Sequence, residues 1–202
     1  MEKALKSNNA VSETSSGGYP KFPLYAYKYE GGATLLHLAA LSGNLSIISL
    51  LTSEKVVSDL IEINSRVEAG MERDGGSEGG HINKFSNILK DALNAYDDVS
   101  NTPIHMAALS GNVVMFEYMM YLGSDPKRLG FRGKTVLHYA ASRGHWELCQ
   151  YLIYDALPYP SLIALDHSGS SASMNAFAAG YKQLGAMIKE STEEVRTKLL
   201  GK

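Results

Sequence analysis

Cysteine is almost absent: Cys149 stands alone among 202 residues. One thiol cannot form an internal disulfide, so bridge-stapled scaffolds are excluded and a reducing compartment fits. No apolar run approaches the roughly 18–20 residues that cross a bilayer as a helix. The opening stretch, MEKALKSNNAVSETSSGG, has no hydrophobic segment of signal-peptide type. Charge of one sign is lacking too: 19 Lys/Arg against 21 Asp/Glu leave a formal net charge of −2. A general attraction to nucleic acid or to an anionic membrane is therefore not expected. A hydrophobic fraction of 45% with 20% charged residues argues against disorder throughout. The expectation is a cytoplasmic or nuclear protein without membrane insertion.

Catalytic signatures are missing as well. There is no phosphate loop, zinc-protease helix, nucleophile elbow or dinucleotide fingerprint. The glycine-rich run Gly75-Gly76-Ser77-Glu78-Gly79-Gly80 lacks the Lys-Ser/Thr that completes a phosphate loop. Cys149 has no neighbouring base or cation to activate it and reads as an inert core residue. His81, His145 and His167 occur singly and read as solvated. No catalytic residue, cofactor or metal is expected, and the chain does not read as an enzyme.

What is present is repetition. Thr102-Pro103-Ile104-His105-Met106-Ala107-Ala108-Leu109-Ser110-Gly111 recurs 33 positions later as Thr135-Val136-Leu137-His138-Tyr139-Ala140-Ala141-Ser142-Arg143-Gly144. A third copy stands upstream, from Thr34 through His37 to Gly43, and the 68 positions from His37 to His105 leave room for one further unit. A fixed period of this length marks a stacked array of helical units. The T-x-L-H-x-A-A-x-x-G core resembles the ankyrin repeat. The resemblance implies an all-α solenoid of about four to five helix-turn-helix repeats, here with a degenerate, elongated second repeat.

Along the chain, residues 1–18 read as a flexible tail and 19–28 as a Tyr-rich extended segment in which Pro20 and Pro23 bar a helix. Tyr25, Tyr27 and Tyr29 alternate there and share a face. The array is expected over 29–190, with an irregular, Gly-rich loop within 55–96. That irregular part reads either as a repeat that kept its end and lost its motif or as an insertion. Repeat five is weak, with Ser171 for Thr and Met174 for His. Pro158-Tyr159-Pro160 reads as a stiff turn. Ser191-Thr192-Glu193-Glu194 resembles a helix N-cap with first-turn acids, which predicts a capping helix over 191–202.

Three recurring histidines invite a metal reading, which spacing defeats. They stand one or two repeats apart, and stacked helices are separated by ~10 Å while a metal needs ligands at ~2 Å. The resemblance gives His37, His105 and His138 a bracing role with Thr34, Thr102 and Thr135, and Gly43, Gly111 and Gly144 the turns. It also implies partner recognition through hairpin fingers and the ends of the first helices. The matching positions are Glu30, Ala33, Leu41 and Ser42; Asp98, Val99, Asn101, Leu109 and Ser110; Phe131, Arg132, Lys134, Ser142 and Arg143; and His167, Ser168 and Ser170.

Phe131, Arg132 and Arg143 stand out, because aromatics and arginine dominate interface energetics. Lys127, Arg128, Arg132, Lys134 and Arg143 concentrate positive charge in an otherwise acidic chain. The partner expected is another protein, with an acidic or phosphorylated segment steered to that cluster. The module reads as a scaffold. The alternatives are the targeting domain of a larger protein and a microbial effector delivered into a host cell. A further idea is that Asn94, in a connector of ankyrin type, is a substrate for asparaginyl hydroxylation.

Overall fold

The computed structural model describes residues 28–29, 31–53 and 89–200. Their regular elements are all helical. In order they are α1 (Leu35–Leu41), α2 (Leu45–Leu51), α3 (Pro103–Ser110), α4 (Val113–Leu122), α5 (Val136–Arg143), α6 (Trp146–Tyr151), α7 (Tyr159–Leu162), α8 (Ala172–Ala178) and α9 (Lys182–Leu200). Residues 89–93 are also helical, and a π-helical turn, Leu152–Ala156, extends α6.

Each motif starts a helix for a local reason. Thr102 adopts an extended conformation before Pro103, whose fixed φ and missing N–H suit the first helical turn. The Thr102 amide donates to His105 Nδ1 at 3.1 Å, and the equivalent bonds hold Thr34 to His37 and Thr135 to His138. Gly111 ends α3 at φ 77°, in the left-handed region open to glycine. The second helices are capped by the next polar residue: Asn44 Oδ1 accepts from the Ser46 amide, and Asn112 Oδ1 from the Met115 amide.

Packing follows from side-chain size. The alanine pairs Ala39–Ala40, Ala107–Ala108 and Ala140–Ala141 are all buried and let the first helices approach closely. Between first and second helices, Leu36, Ile48, Ile104, Phe116, Met119, Leu137, Leu148 and Leu152 are fully buried in one continuous core. The first helices stack as α1, α3, α5 and α8, each against the next.

This order corrects one expectation. The helices α1 and α3 are direct neighbours, so a complete further unit does not lie between their motifs. His37 Nε2 reaches the Asn101 carbonyl at 3.0 Å, and the Asp98 amide donates to the Gly31 carbonyl at 3.0 Å. Asn112 Nδ2 adds a bond to the Gly43 carbonyl. Among the described residues no further motif helix is therefore stacked between unit one and α3. The end of that unit is in place: Leu93 is fully buried, and Asn94 bonds to the Gly123 carbonyl and the Asp125 amide.

The C-terminal end differs too. Residues 191–202 do not begin a separate capping helix; Ser191 lies inside α9, a single helix of 19 residues. No Gly or Pro interrupts it beyond Gly185. The buried Ser191 hydroxyl accepts from Tyr154 and donates to Met187 Sδ, which serves its polarity without a cap. Pro158 likewise opens the short helix α7, so the expected stiff turn is helical. The Glu30 position, residues 1–27 and 54–88 lie outside the described residues.

Two predictions follow from these contacts. Burial lowers the pKa of His37, His105 and His138, for His105 to about 4 from 6.5. The unfolded chain thus binds more protons below pH 6.5, and stability is full above that pH and lost as pH falls toward 4. For His105 alone the loss is about 3 kcal/mol, to be read as a falling urea midpoint from pH 7 to pH 4.5; an unchanged midpoint contradicts it. Thr192→Pro, tolerable at the first position of a separate helix, should cost about 3 kcal/mol or more inside α9, measured by thermal unfolding.

Candidate binding surface

The histidine bracing joins His37 and His138 to the finger of the following unit. A peptide N–H can only donate and a carbonyl can only accept, so Nδ1 of each motif histidine is the acceptor and Nε2 carries the proton. His138 Nε2 donates to the Ser170 carbonyl at 3.0 Å and His37 Nε2 to that of Asn101. Both ring nitrogens are occupied in every copy, which holds the neutral ring in place.

The fingers project ahead of the first helices. In each, one amide closes the turn: Asp97 to the Asn101 carbonyl at 2.8 Å, Gly130 to Lys134 at 2.7 Å, Asp166 to Ser170 at 3.0 Å. Fingers also bond to one another. The Asp98 amide reaches Gly31 and the His167 amide reaches the Arg132 carbonyl at 2.9 Å. Between finger three (97–101) and finger four (130–134), numbered by repeat, the pattern changes. There the Phe131 amide donates to Asn101 Oδ1 at 3.0 Å, and the Tyr139 hydroxyl donates to the same oxygen. His105 Nε2 correspondingly turns to the Arg128 carbonyl, and Tyr139 packs edge-on against its ring. Burial raises the Tyr139 pKa to about 12, keeping it a donor at neutral pH.

Asn101 is thus placed differently from expectation. Only 6% exposed, it is an internal latch and presents nothing to a partner. Asp98, Val99, Phe131, Arg132 and His167 are exposed on the fingers, and Lys134 and Ser170 are half-buried. On the first helices Leu41, Ser42 and Arg143 are exposed; Leu109, Ser110 and Ser142 are half-buried. Ser168 is exposed beside Asp166, whose carboxylate accepts from the Ser168 hydroxyl and the Ser168 and Ser170 amides. These bonds, the hydroxyl foremost, hold the Asp166 pKa down at about 2.

Arg132 departs from ordinary backbone geometry. Its φ of 57° and ψ of 33° put it in the left-handed region, which costs a non-glycine residue about 1–2 kcal/mol. Its guanidinium lies 5.1 Å from the Phe131 ring centroid. Phe131 itself remains 44% exposed, so the arginine covers one side of the ring only.

One other residue departs from the sequence reading. His145 is half-buried and not solvated: its Nε2 donates to the Leu109 carbonyl at 2.8 Å, and a side chain at Gly111 would collide with its ring. Glycine at 111 was the sequence signal for this close approach. Trp146 is 38% exposed and borders a shallow hollow of about 350 Å³ with Gly180, Tyr181, Lys182 and Leu184. That hollow lies beyond the C-terminal ends of α5 and α8, at the end of the first helices away from the fingers. Cys149 is fully buried, and burial pushes its thiol up to about 12, so a reactive thiolate does not form near neutral pH.

Stacked helix pairs bearing a row of bonded fingers define a helical-repeat array. Residues 77–161 match the family model for ankyrin repeats in three copies, and residues 31–64 that for the single ankyrin repeat. Together the matches cover more than half of the sequence, and the chain belongs to the ankyrin-repeat family. It is similar to the nuclear factor NF-kappa-B p105 subunit of Rattus norvegicus, at 28% identity over 76% of this chain and 14% of that protein. It is also similar to the ARF GTPase-activating protein GIT1 of Homo sapiens, 33% identical over 32% of this chain and 9% of that protein. The E3 ubiquitin-protein ligase XBAT32 of Arabidopsis thaliana is 28% identical over 54% of this chain and 20% of its own length. The chain thus spans no more than a fifth of these relatives. Ankyrin repeats generally mediate protein–protein interaction.

The latch gives a prediction. Asn101→Ala removes the acceptor of two buried donors and should cost about 1–3 kcal/mol. Hydrogen exchange at the Phe131 amide should accelerate more than exchange at His167. Equal acceleration at both would mean that Asn101 has no special hold on finger four.

Proposed function

We propose that the chain is a non-catalytic scaffold that grips another protein along its fingers and the ends of its first helices, in the cytoplasm or nucleus. The observation that carries this reading is finger four. Phe131 and Arg132 are both exposed, and Arg132 is held in a costly left-handed backbone conformation. Strain retained on an exposed tip is a mark of function. Lys134 and Arg143 stand on the same unit, and together these cations favour an acidic or phosphorylated segment of the partner.

The relatives support the general part of this reading. One is named for a nuclear factor, one for GTPase activation and one for ubiquitin ligation, and the chain covers no more than a fifth of each. The same fact supports a second reading, in which the array is the targeting part of a larger protein.

A triple substitution tests the proposal. Phe131→Ala/Arg132→Glu/Arg143→Glu should leave the unfolding temperature within a few degrees and reduce recovery of partner proteins by at least tenfold in affinity purification. Equal recovery by the unaltered chain and the variant would place the interface elsewhere.

A further inference from the structure

The proposed role of the fingers can be taken one step further, and this step rests on that reading. The closing bonds of Asp97, Gly130 and Asp166 put these residues at one equivalent position in three adjoining fingers. The residues just before them, Tyr96, Leu129 and Leu165, therefore stand in register. They are 39%, 49% and 59% exposed. Leu129 and Phe131 flank Gly130 on the same finger, and Phe131 is 44% exposed. Four large apolar side chains thus form a strip across three fingers. Contiguous apolar surface with a polar rim marks an interaction site.

The rim carries charge of both signs, with cations beside the two aromatic rings. The Arg128 guanidinium sits 5.2 Å from the Tyr96 ring centroid, as Arg132 sits over Phe131, and Lys127 is exposed beside them. Asp98 and His167 mark the ends. The pitch of the strip is also informative. Units stacked through helix contacts repeat every ~8–10 Å. An α-helix advances ~10.5 Å in seven residues and returns nearly to the same face. An extended strand covers that distance in three residues and arrives on the opposite face.

We propose that the strip Tyr96–Leu129–Phe131–Leu165 seats an amphipathic helix of a partner protein, laid along the row of fingers. Its apolar side chains recur every seven residues, one per repeat, and its acidic flank faces Arg128 and Arg132. A polyproline segment also repeats at ~9 Å, but it docks in aromatic-lined grooves, and here two of the four side chains are leucines on projecting fingers. Asp98 disfavours an anionic membrane as the occupant.

Fluorescence anisotropy with the full chain tests this, using three labelled synthetic peptides: an acidic three-heptad amphipathic helix with leucine in each heptad, its scramble, and a proline-rich peptide of equal charge. The helical peptide should bind at least tenfold tighter than the other two. Leu129→Ser/Leu165→Ser, which alters only exposed positions, should weaken it about tenfold or more, and Arg128→Glu should weaken it most at low salt. Equal binding of helix and scramble, preference for the proline-rich peptide, or indifference to the two leucine changes overturns the proposal. If the leucine changes are silent while Arg132→Glu/Arg143→Glu abolishes binding, the general reading of the groove stands and the strip falls. If all variants bind alike, both fall.

Discussion

The whole array rests on a neutral imidazole that reaches in two directions. Each motif histidine accepts from the threonine amide of its own unit and donates to a backbone carbonyl further along. The first bond starts a helix, and for His37 and His138 the second fixes the neighbouring finger. Desolvation makes this arrangement sensitive to charge, because a protonated ring would lose the Nδ1 acceptor and be buried as a cation. Local capping and long-range stacking are thus one interaction counted at two levels.

Upon that frame the surface varies where the frame permits. Fingers one to three and four to five are joined by backbone bonds, but fingers three and four are joined through the Asn101 side chain. The exchange displaces His105 from the usual carbonyl to that of Arg128 and brings Tyr139 beneath the finger. The exposed cations and the aromatic ring of finger four stand directly on this altered joint. Core geometry and binding chemistry are therefore coupled at one place, through a single amide side chain.

Much of the fold was legible in the sequence because the motif carries its own physics. Thr, His and Gly at fixed offsets specify a cap, a brace and a left-handed turn, and Ala pairs specify close packing. The exposed positions Phe131, Arg132 and Arg143 could be transferred from register alone. Asn101 could not, since its burial depends on Tyr139 in the following unit, a contact no local pattern encodes. His145 was misread for the same reason. The joining of Ser191 into α9 was hidden because Ser-Thr-Glu-Glu is equally acceptable at a helix start and inside a helix whose hydroxyls find partners. The spacing of 68 was ambiguous because distance along the chain sets an upper bound on intervening structure and does not say which layer holds it.

That direct meeting of α1 with α3 bears on how the array assembles. Between the other motif helices the chain closes over 33 or 36 positions, but here over 68. Doubling a loop raises its closure cost by about 0.6 kcal/mol in the unfolded chain. Unit one thereby begins with an entropic handicap at its joint with α3. Cooperative unravelling would start from that end, and refolding would begin among the three later units and recruit the first one last.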